Sequence, residues 1–225
     1  MAETIITVQG EAETRIPAER ARVSAGVHAW GPDRETVFAR AVAAADAISE
    51  LTEPLVEPVA GAVRSWSKER VRVWSERPWN NEGKQLDPVQ HAALDVQALF
   101  ADFEALARWV EKVALIPDAQ LSSIEWELTD ETRRGAIAGV RADAVADAVA
   151  KATTYAAAIG LTSVTAVAVA DPGMLGDRGA NEGGGGMPYR MSAMKASDSM
   201  TAASLEFRPE PIVLTAAVDA RFTAS

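Results

Sequence analysis

The sequence predicts an α+β protein in which helices cover one face of antiparallel β-sheets. Several segments alternate apolar and polar residues, which is typical of strands with one buried face. Others repeat apolar residues at spacings of three and four, which is typical of amphipathic helices. The two kinds of segment follow one another as β-β-α-β-β-α-β-α-β-loop-β along the 225 residues.

The first two strands are predicted at residues 5–12 and 21–30, where apolar and polar residues alternate. Pro17 lies between them and cannot donate to a sheet ladder, so the chain around it is predicted to be the connection. An apolar stripe then predicts a helix over residues 33–53, with Pro32 or Asp33 supplying its start and Pro54 its end. The stripe consists of Val37, Ala41, Ala44, Ile48, Leu51 and Leu55.

The middle of the chain supplies two strands and a short helix. Residues 63–76 alternate, as do residues 90–99 beyond the turn signals that include Asp87-Pro88. Asp102 is expected to cap a helix that ends before Pro117. The inward positions of this helix are Phe103, Leu106, Val110 and Val113.

The longest helix is predicted to begin at Asp130 and to end at Gly160 as its C-cap. Asp147 and Lys151, one turn apart, are expected to form an outward ion pair. Its inward positions are Ile137, Val140, Ala144, Ala148, Ala152, Tyr155 and Ile159. A strand at residues 121–128 precedes this helix.

Two more strands, at residues 164–170 and 212–223, complete the prediction, and the last strand is expected to pair with the N-terminal one. That pairing predicts two lobes within one unit of 225 residues. The first lobe would comprise residues 1–88 and 205–225, and the second residues 89–171. Residues 172–204 contain four consecutive glycines and five methionines and are predicted to be a flexible loop.

Composition excludes several functions. The chain has no cysteine, which excludes disulfides, thiolate zinc sites, iron–sulfur clusters and cysteine nucleophiles. Its net charge of −10 disfavours nucleic acid and anionic membrane surfaces as partners. No segment has the length and apolarity of a membrane span. Residues 1–8 lack the features of a secretory signal, which favours a cytoplasmic protein.

Two segments of the sequence contain short strings that indicate a family. Residues 6–12, Ile-Thr-Val-Gln-Gly-Glu-Ala, and the string around Pro17-Ala18-Glu19-Arg20-Ala21 resemble the opening strand and the start of the second strand of the SIMPL-domain family. Residues 123–130 and the alanine-rich helix that follows, up to Gly160, are similar to the family's strand, aspartate and long helix. The resemblance spans nearly the whole chain.

The resemblance implies the same α+β unit and leaves the role undefined. Bacterial members of the family are described as periplasmic, immunogenic or surface-antigen, and oxidative-stress-related proteins of unknown function. The family defines no catalytic residues, so the resemblance assigns none here. This chain differs from the pattern by the missing export signal and by the glycine- and methionine-rich segment at residues 172–204.

An aromatic and basic stretch at residues 65–79 is the first candidate site, because cations interleave with indoles as they do in single-strand nucleic-acid grooves. Its candidate residues are Trp66, Arg70, Arg72, Trp74 and Trp79. The simpler interpretation is that the first four share one strand face and form cation–π and cross-strand pairs, while Val71 and Val73 face the core. The acidic chain favours this interpretation and a protein partner.

The methionine-rich loop is the second candidate. Met187, Met191 and Met194 repeat at helical spacing and offer thioethers, which Cu(I) prefers. Alternatively, Met187 and Met191 belong to a flexible surface that contacts a partner. No histidine or cysteine supports a metal site there, so partner contact is favoured and neither a metal nor a cofactor is expected.

Acid–base chemistry is the third candidate, and it would use His28, His91 and carboxylates such as Glu125 and Glu127. Both glutamates are predicted to point away from the apolar face of their strand, which indicates a solvated or intersubunit surface. The glycines at 183–186 are not followed by a phosphate-binding lysine, and no catalytic motif is present. An enzyme is therefore not expected.

Together these observations predict a non-catalytic homo-oligomeric scaffold or interaction protein, whose partner is a second copy or another protein. One alternative is a stress-related protein that binds a ligand or Cu(I) through the methionine-rich loop. The other is an uncharacterised enzyme, which would require a cleft holding titratable groups with shifted pKa values.

Overall fold

A computed structural model describes residues 4–81, 83–175 and 209–225. The strands in these ranges are β1 (Thr4–Ile16), β2 (Arg20–Gly31), β3 (Val63–Lys68), β4 (Arg72–Glu76), β5 (Val89–Phe100), β6 (Ala119–Glu127), β7 (Val164–Ala170) and β8 (Ile212–Ala224). The helices are α1 (Arg34–Thr52), α2 (Phe103–Val113) and α3 (Asp130–Ala158), with a 3₁₀ turn at Glu53–Leu55. The predicted α+β class is confirmed, and the strand predicted at 63–76 is divided into β3 and β4.

The chain forms two compact units. Among the described residues, the first unit comprises 4–17, 128–175 and 211–225, and it packs α3 on a sheet of order β1-β8-β7. The second unit contains residues 18–127, whose sheet has the order β3-β5-β2-β6, with β4 also paired to β5. Every strand pairing is antiparallel. Within the described ranges, no helix is both long and apolar enough to cross a membrane.

The division into units differs from the predicted lobes. β1 pairs with β8 along its whole length, as predicted. However, β5 lies between β2 and the edge formed by β3 and β4, so the boundary expected at Asp87-Pro88 falls inside one sheet. Turn residues mark where a chain reverses but carry no information on which strands pair beyond the turn. Local signals therefore could not place this boundary.

In the first unit, α3 packs on its sheet through small side chains. The buried residues of α3 are Val140, Ala144, Ala148, Ala152 and Ala156. These residues recur at every fourth position. Because a helical turn has 3.6 residues, the buried stripe winds gradually around the helix instead of running parallel to its axis. The inward placement predicted for Tyr155 and Ile159 is therefore wrong, since both side chains are exposed.

The free edge of β1 is covered by α3. The carboxylate of Asp147 accepts a 2.9 Å hydrogen bond from the backbone N–H of Glu11, and the Lys151 ammonium donates a 2.9 Å hydrogen bond to the carbonyl of Gln9. Asp147 and Lys151 are themselves 2.8 Å apart, as their helical spacing predicts. The pair thus satisfies backbone groups that an edge strand leaves unpaired.

The second unit has a core of larger side chains. Trp109, Phe100, Ile48, Leu94 and Leu106 are among its fully buried residues. The indole N–H of Trp109 donates a 3.0 Å hydrogen bond to the hydroxyl of Thr52, which in turn donates to the carbonyl of Ile48 at 2.7 Å. Burial of this indole therefore leaves its polar atom satisfied.

Both helices of the second unit begin at aspartates, at Asp102 as predicted and at Asp33 rather than the alternative Pro32. Asp33 accepts a hydrogen bond from the backbone N–H of Thr36 and caps α1, and Asp102 accepts two from the first turn of α2. The hydrogen bonds from Thr36 hold the pKa of the exposed Asp33 carboxyl below its usual value. These caps satisfy backbone N–H groups that the first turn of a helix leaves unpaired.

Candidate functional site

The five-stranded sheet has a face that points away from α1 and α2. Along β2, every second residue from Ala21 to Ala29 is buried in the core that both helices share. The alternation of side chains places the intervening residues, including Arg22, His28 and Trp30, on the opposite face. We call this the open face of the second unit.

The strand register brings aromatic residues from three strands together on the open face. In β5, His91 lies opposite Trp30 of β2, and Trp74 of β4 lies opposite His91 on the other side. Directly opposed residues of antiparallel strands point to the same side of a sheet. Trp30 and Trp74 are 61% and 42% exposed, so the two large indoles present much of their surface to solvent.

His28, Trp74 and His91 form a cluster of nearly parallel rings. The Trp74 and His91 ring centroids are 5.1 Å apart at 10°. The His28 ring lies 5.3 Å from that of His91 at 11°, and 5.9 Å from that of Trp74 at 3°. Such spacing is within the range of favourable aromatic contacts. The cluster therefore holds both imidazoles in defined orientations.

The two imidazoles are hydrogen-bonded to each other. His28 Nε2 and His91 Nδ1 are 3.1 Å apart, and one of them donates to the other. On the far side of the His91 ring, Nε2 lies 3.8 Å from a carboxylate oxygen of Glu76. These are the only two histidines in the sequence. Because two histidines in 225 residues offer little material for acid–base chemistry, the sequence favoured no such role for them.

Trp66 and Trp74 lie on opposite faces of the sheet, so the prediction of a shared face is wrong. Both β3 and β4 pair with β5 along the same edge. From Lys68 to Arg72 the chain advances four residues, whereas their partners on β5 are three residues apart. One extra residue in a strand places every later side chain on the opposite face of the sheet. Trp66 therefore packs against the core, and Trp74 joins the open face.

The remaining residues of the aromatic and basic stretch are dispersed. Arg72 lies 3.4 Å from the Asp95 carboxylate. Arg70 is exposed in the segment between β3 and β4, and Trp79 is exposed beyond β4 at an isolated bridge to Gln85. Val71 and Val73 pack against the core, as predicted. The predicted stretch therefore contributes Arg72 and Trp74 to the open face. Met187, Met191 and Met194 lie outside the described residues.

Glu125 and Glu127 lie on the face predicted for them, opposite the core-facing Ile124 and Trp126. Both carboxylate oxygens of Glu127 accept hydrogen bonds from the Arg22 guanidinium, at 2.7 and 3.2 Å. This hydrogen bonding raises the pKa of Arg22, and partial burial opposes it. The glutamates thus belong to an ion-paired surface.

Two shallow depressions in the described part of the chain bear on catalysis. One of about 480 Å³ lies between α1 and the end of α2, and its charged lining residues are Glu50 and Lys112. The other, of about 210 Å³, lies beside β7 and the end of α3 and has no charged lining residue. Within the same ranges, no cluster of three or more histidine, aspartate or glutamate side chains is arranged to hold a metal ion.

This architecture defines an α+β protein whose chemically distinctive groups lie on a sheet surface. The SIMPL family, described as "Protein of unknown function (DUF541)", matches residues 6–222, and the chain belongs to this family. The family resemblance predicted from the two sequence segments is thereby confirmed. No curated protein matches the sequence.

Proposed function

We propose that this SIMPL-family protein is a non-catalytic interaction protein that forms homo-oligomers through the open face of its second unit. The observation that carries this proposal is the exposure of Trp30 and Trp74 on one sheet face, beside His28. Indoles are enriched at protein interfaces because they bury a large area at a low cost in conformational entropy. Two exposed indoles on one face favour a contact surface.

The charges of the open face favour a second copy of the chain as the partner. The whole chain has a net charge of −10, so two copies repel each other at long range. On this face, however, Arg22 is paired with Glu127 and Arg72 with Asp95. Local neutralisation lowers the repulsion where the copies would meet. A two-fold arrangement would bring the same mixed surface from both copies together.

A non-catalytic role is supported by the lining of the two depressions. The larger one offers a single carboxylate and a single amine, and the smaller one offers hydroxyl groups without a charged base. Glu50 and Lys112 are a pair of titratable groups, but the shallow depression that they line is open to water. Catalytic groups usually act in a cleft that excludes water, so these linings favour binding over catalysis.

Light scattering coupled to size-exclusion chromatography tests this proposal. The wild-type mass is expected to be a multiple of 23.8 kDa, and a Trp30→Ser/Trp74→Ser double variant is expected to have a lower mass. Phe38→Ser is the matched control, because Phe38 is also an exposed aromatic but lies on α1. The control should keep the wild-type mass. A monomeric wild-type protein would refute self-assembly.

The unpaired edge of β7 is an alternative interface for self-assembly, which the same measurement can distinguish from the open face. β7 pairs with β8 alone within the described ranges, contains no charged residue or proline, and exposes Val167. Natural edge strands that avoid pairing usually have such residues. If Val167→Lys lowers the mass and the tryptophan double variant does not, the interface lies at β7 and the open-face proposal is wrong.

A further inference from the structure

We propose that His28 and His91 form a binding site for a divalent late first-row transition-metal ion, with Cu²⁺ bound most tightly. The proposal does not depend on self-assembly, because both ligands belong to one chain. It concerns the open face and is separate from the methionine-rich segment.

The spacing of the two ring nitrogens fits chelation. Imidazole nitrogens bind such ions at about 2.0–2.1 Å, so two ligands at adjacent coordination positions lie roughly 3 Å apart. His28 Nε2 and His91 Nδ1 are already 3.1 Å apart. In the metal-free protein, one N–H donates to the other nitrogen. As the ion binds, the donating ring changes tautomer, so that its proton moves through solvent to its other nitrogen and both facing nitrogens offer a lone pair to the metal.

Glu76 lies near the position of a carboxylate that orients a metal-bound histidine. With His91 Nδ1 as the ligand, the proton of the ring is on Nε2, 3.8 Å from the Glu76 carboxylate. This distance is longer than a hydrogen bond, and the Glu76 side chain, which is 66% exposed, would move to close it. Metal-binding imidazoles usually donate their second N–H to such a group. The His91 side chain is only 16% exposed and lies against Trp74, which holds its ring in place.

The electrostatic surroundings favour a cation. The chain is acidic overall, and the nearest cation on the neighbouring strand, Arg72, is paired with Asp95. Histidine nitrogens select Cu²⁺, Ni²⁺ and Zn²⁺ over Mg²⁺ and Ca²⁺, and the general order of affinity places Cu²⁺ first. In the single chain, the two protein ligands leave the other coordination positions to water.

Copper titration of the untagged protein tests the proposal. Wild type is expected to bind one Cu²⁺ per chain, with quenching of Trp74 fluorescence and an electron paramagnetic resonance spectrum showing two imidazole nitrogens. His28→Gln and His91→Gln should each lose the two-nitrogen spectrum. Because no other histidine exists in the chain, residual imidazole coordination in the double variant is impossible.

Two further variants separate the roles of the neighbours. Trp74→Phe should keep the two-nitrogen spectrum and lose most of the fluorescence response. Glu76→Gln should weaken Cu²⁺ binding by roughly tenfold, as removal of an orienting carboxylate does. If the His28→Gln/His91→Gln protein retains wild-type Cu²⁺ affinity, the ion binds elsewhere and the proposal is overturned. Unchanged affinity in Glu76→Gln would refute the orienting role.

Discussion

The two compact units bury their helices by contrasting means. In the first unit, a row of alanines on α3 approaches β1 so closely that a side chain at Gly10 would collide with the helix backbone at Ala144 and Ala148. In the second unit, α2 packs through large side chains such as Trp109, whose ring lies against Phe100 of β5. The first interface is therefore sensitive to added volume and the second to lost volume.

Tryptophan fluorescence reports on the unfolding of the second unit. All six tryptophans of the sequence lie within residues 18–127, the second unit. Far-UV circular dichroism, in contrast, reports on the helices of both units. Denaturation followed by both signals therefore shows which unit a substitution destabilises.

The largest effect is expected for Trp109→Ala, which removes a fully buried indole from the second unit. The free energy of unfolding should fall by about 3–5 kcal/mol, because the substitution leaves a cavity. Urea denaturation followed by tryptophan fluorescence measures this change. Trp79→Ala is the matched control, since Trp79 is exposed, and it should change the stability by less than about 0.5 kcal/mol. Equal effects of the two substitutions would contradict the assigned core.

Gly10→Val should destabilise the first unit by about 1–3 kcal/mol or more, because an added Cβ would lie 2.7 Å from the Ala148 nitrogen and 2.8 Å from its Cβ. Circular dichroism should show the loss at a lower urea concentration than fluorescence does. Gly139→Ala on α3 is the control, since its Cβ meets no atom within 4 Å. A helix-interior alanine there should stabilise by about 0.5–1 kcal/mol. Coincident shifts of both signals would contradict separate unfolding of the units.

The smallest effect is expected from acid titration of Asp147. The hydrogen bond from Lys151, and then that from the Glu11 backbone, lower the pKa of Asp147 below its ordinary value of 3.8. A carboxyl with a lowered folded-state pKa stabilises the protein above that ordinary value, and this contribution is lost as the pH falls through the folded-state pKa. Asp147→Asn should remove this part of the acid dependence.

Circular dichroism melts of the wild type and Asp147→Asn between neutral pH and strong acid measure this difference. Asp143→Asn, at an exposed position of the same helix, serves as the control and should follow the wild-type acid profile. If Asp147→Asn shows the same acid profile as wild type, the hydrogen bonds of the ionised Asp147 carboxylate to Lys151 and to the β1 backbone contribute nothing to stability.

The sequence by itself determined the order of the elements, the helix start at Asp102, the pairing of the terminal strands and the family. The order of the elements and the helix start both result from local patterns. Alternation and helical spacing depend on neighbouring residues, and a cap depends on three or four consecutive ones. The family was predicted from two sequence segments, whose residues and positions along the chain can be read without knowing any tertiary contact.

Only the tertiary structure decided which residues meet on the open face. His28 and His91 become neighbours because β2 and β5 pair in one particular register, and Trp74 faces them because one extra residue lies between β3 and β4. A shift of one residue in either place would turn these side chains to the other face. Register depends on packing across the whole sheet, so local sequence patterns could not specify the cluster.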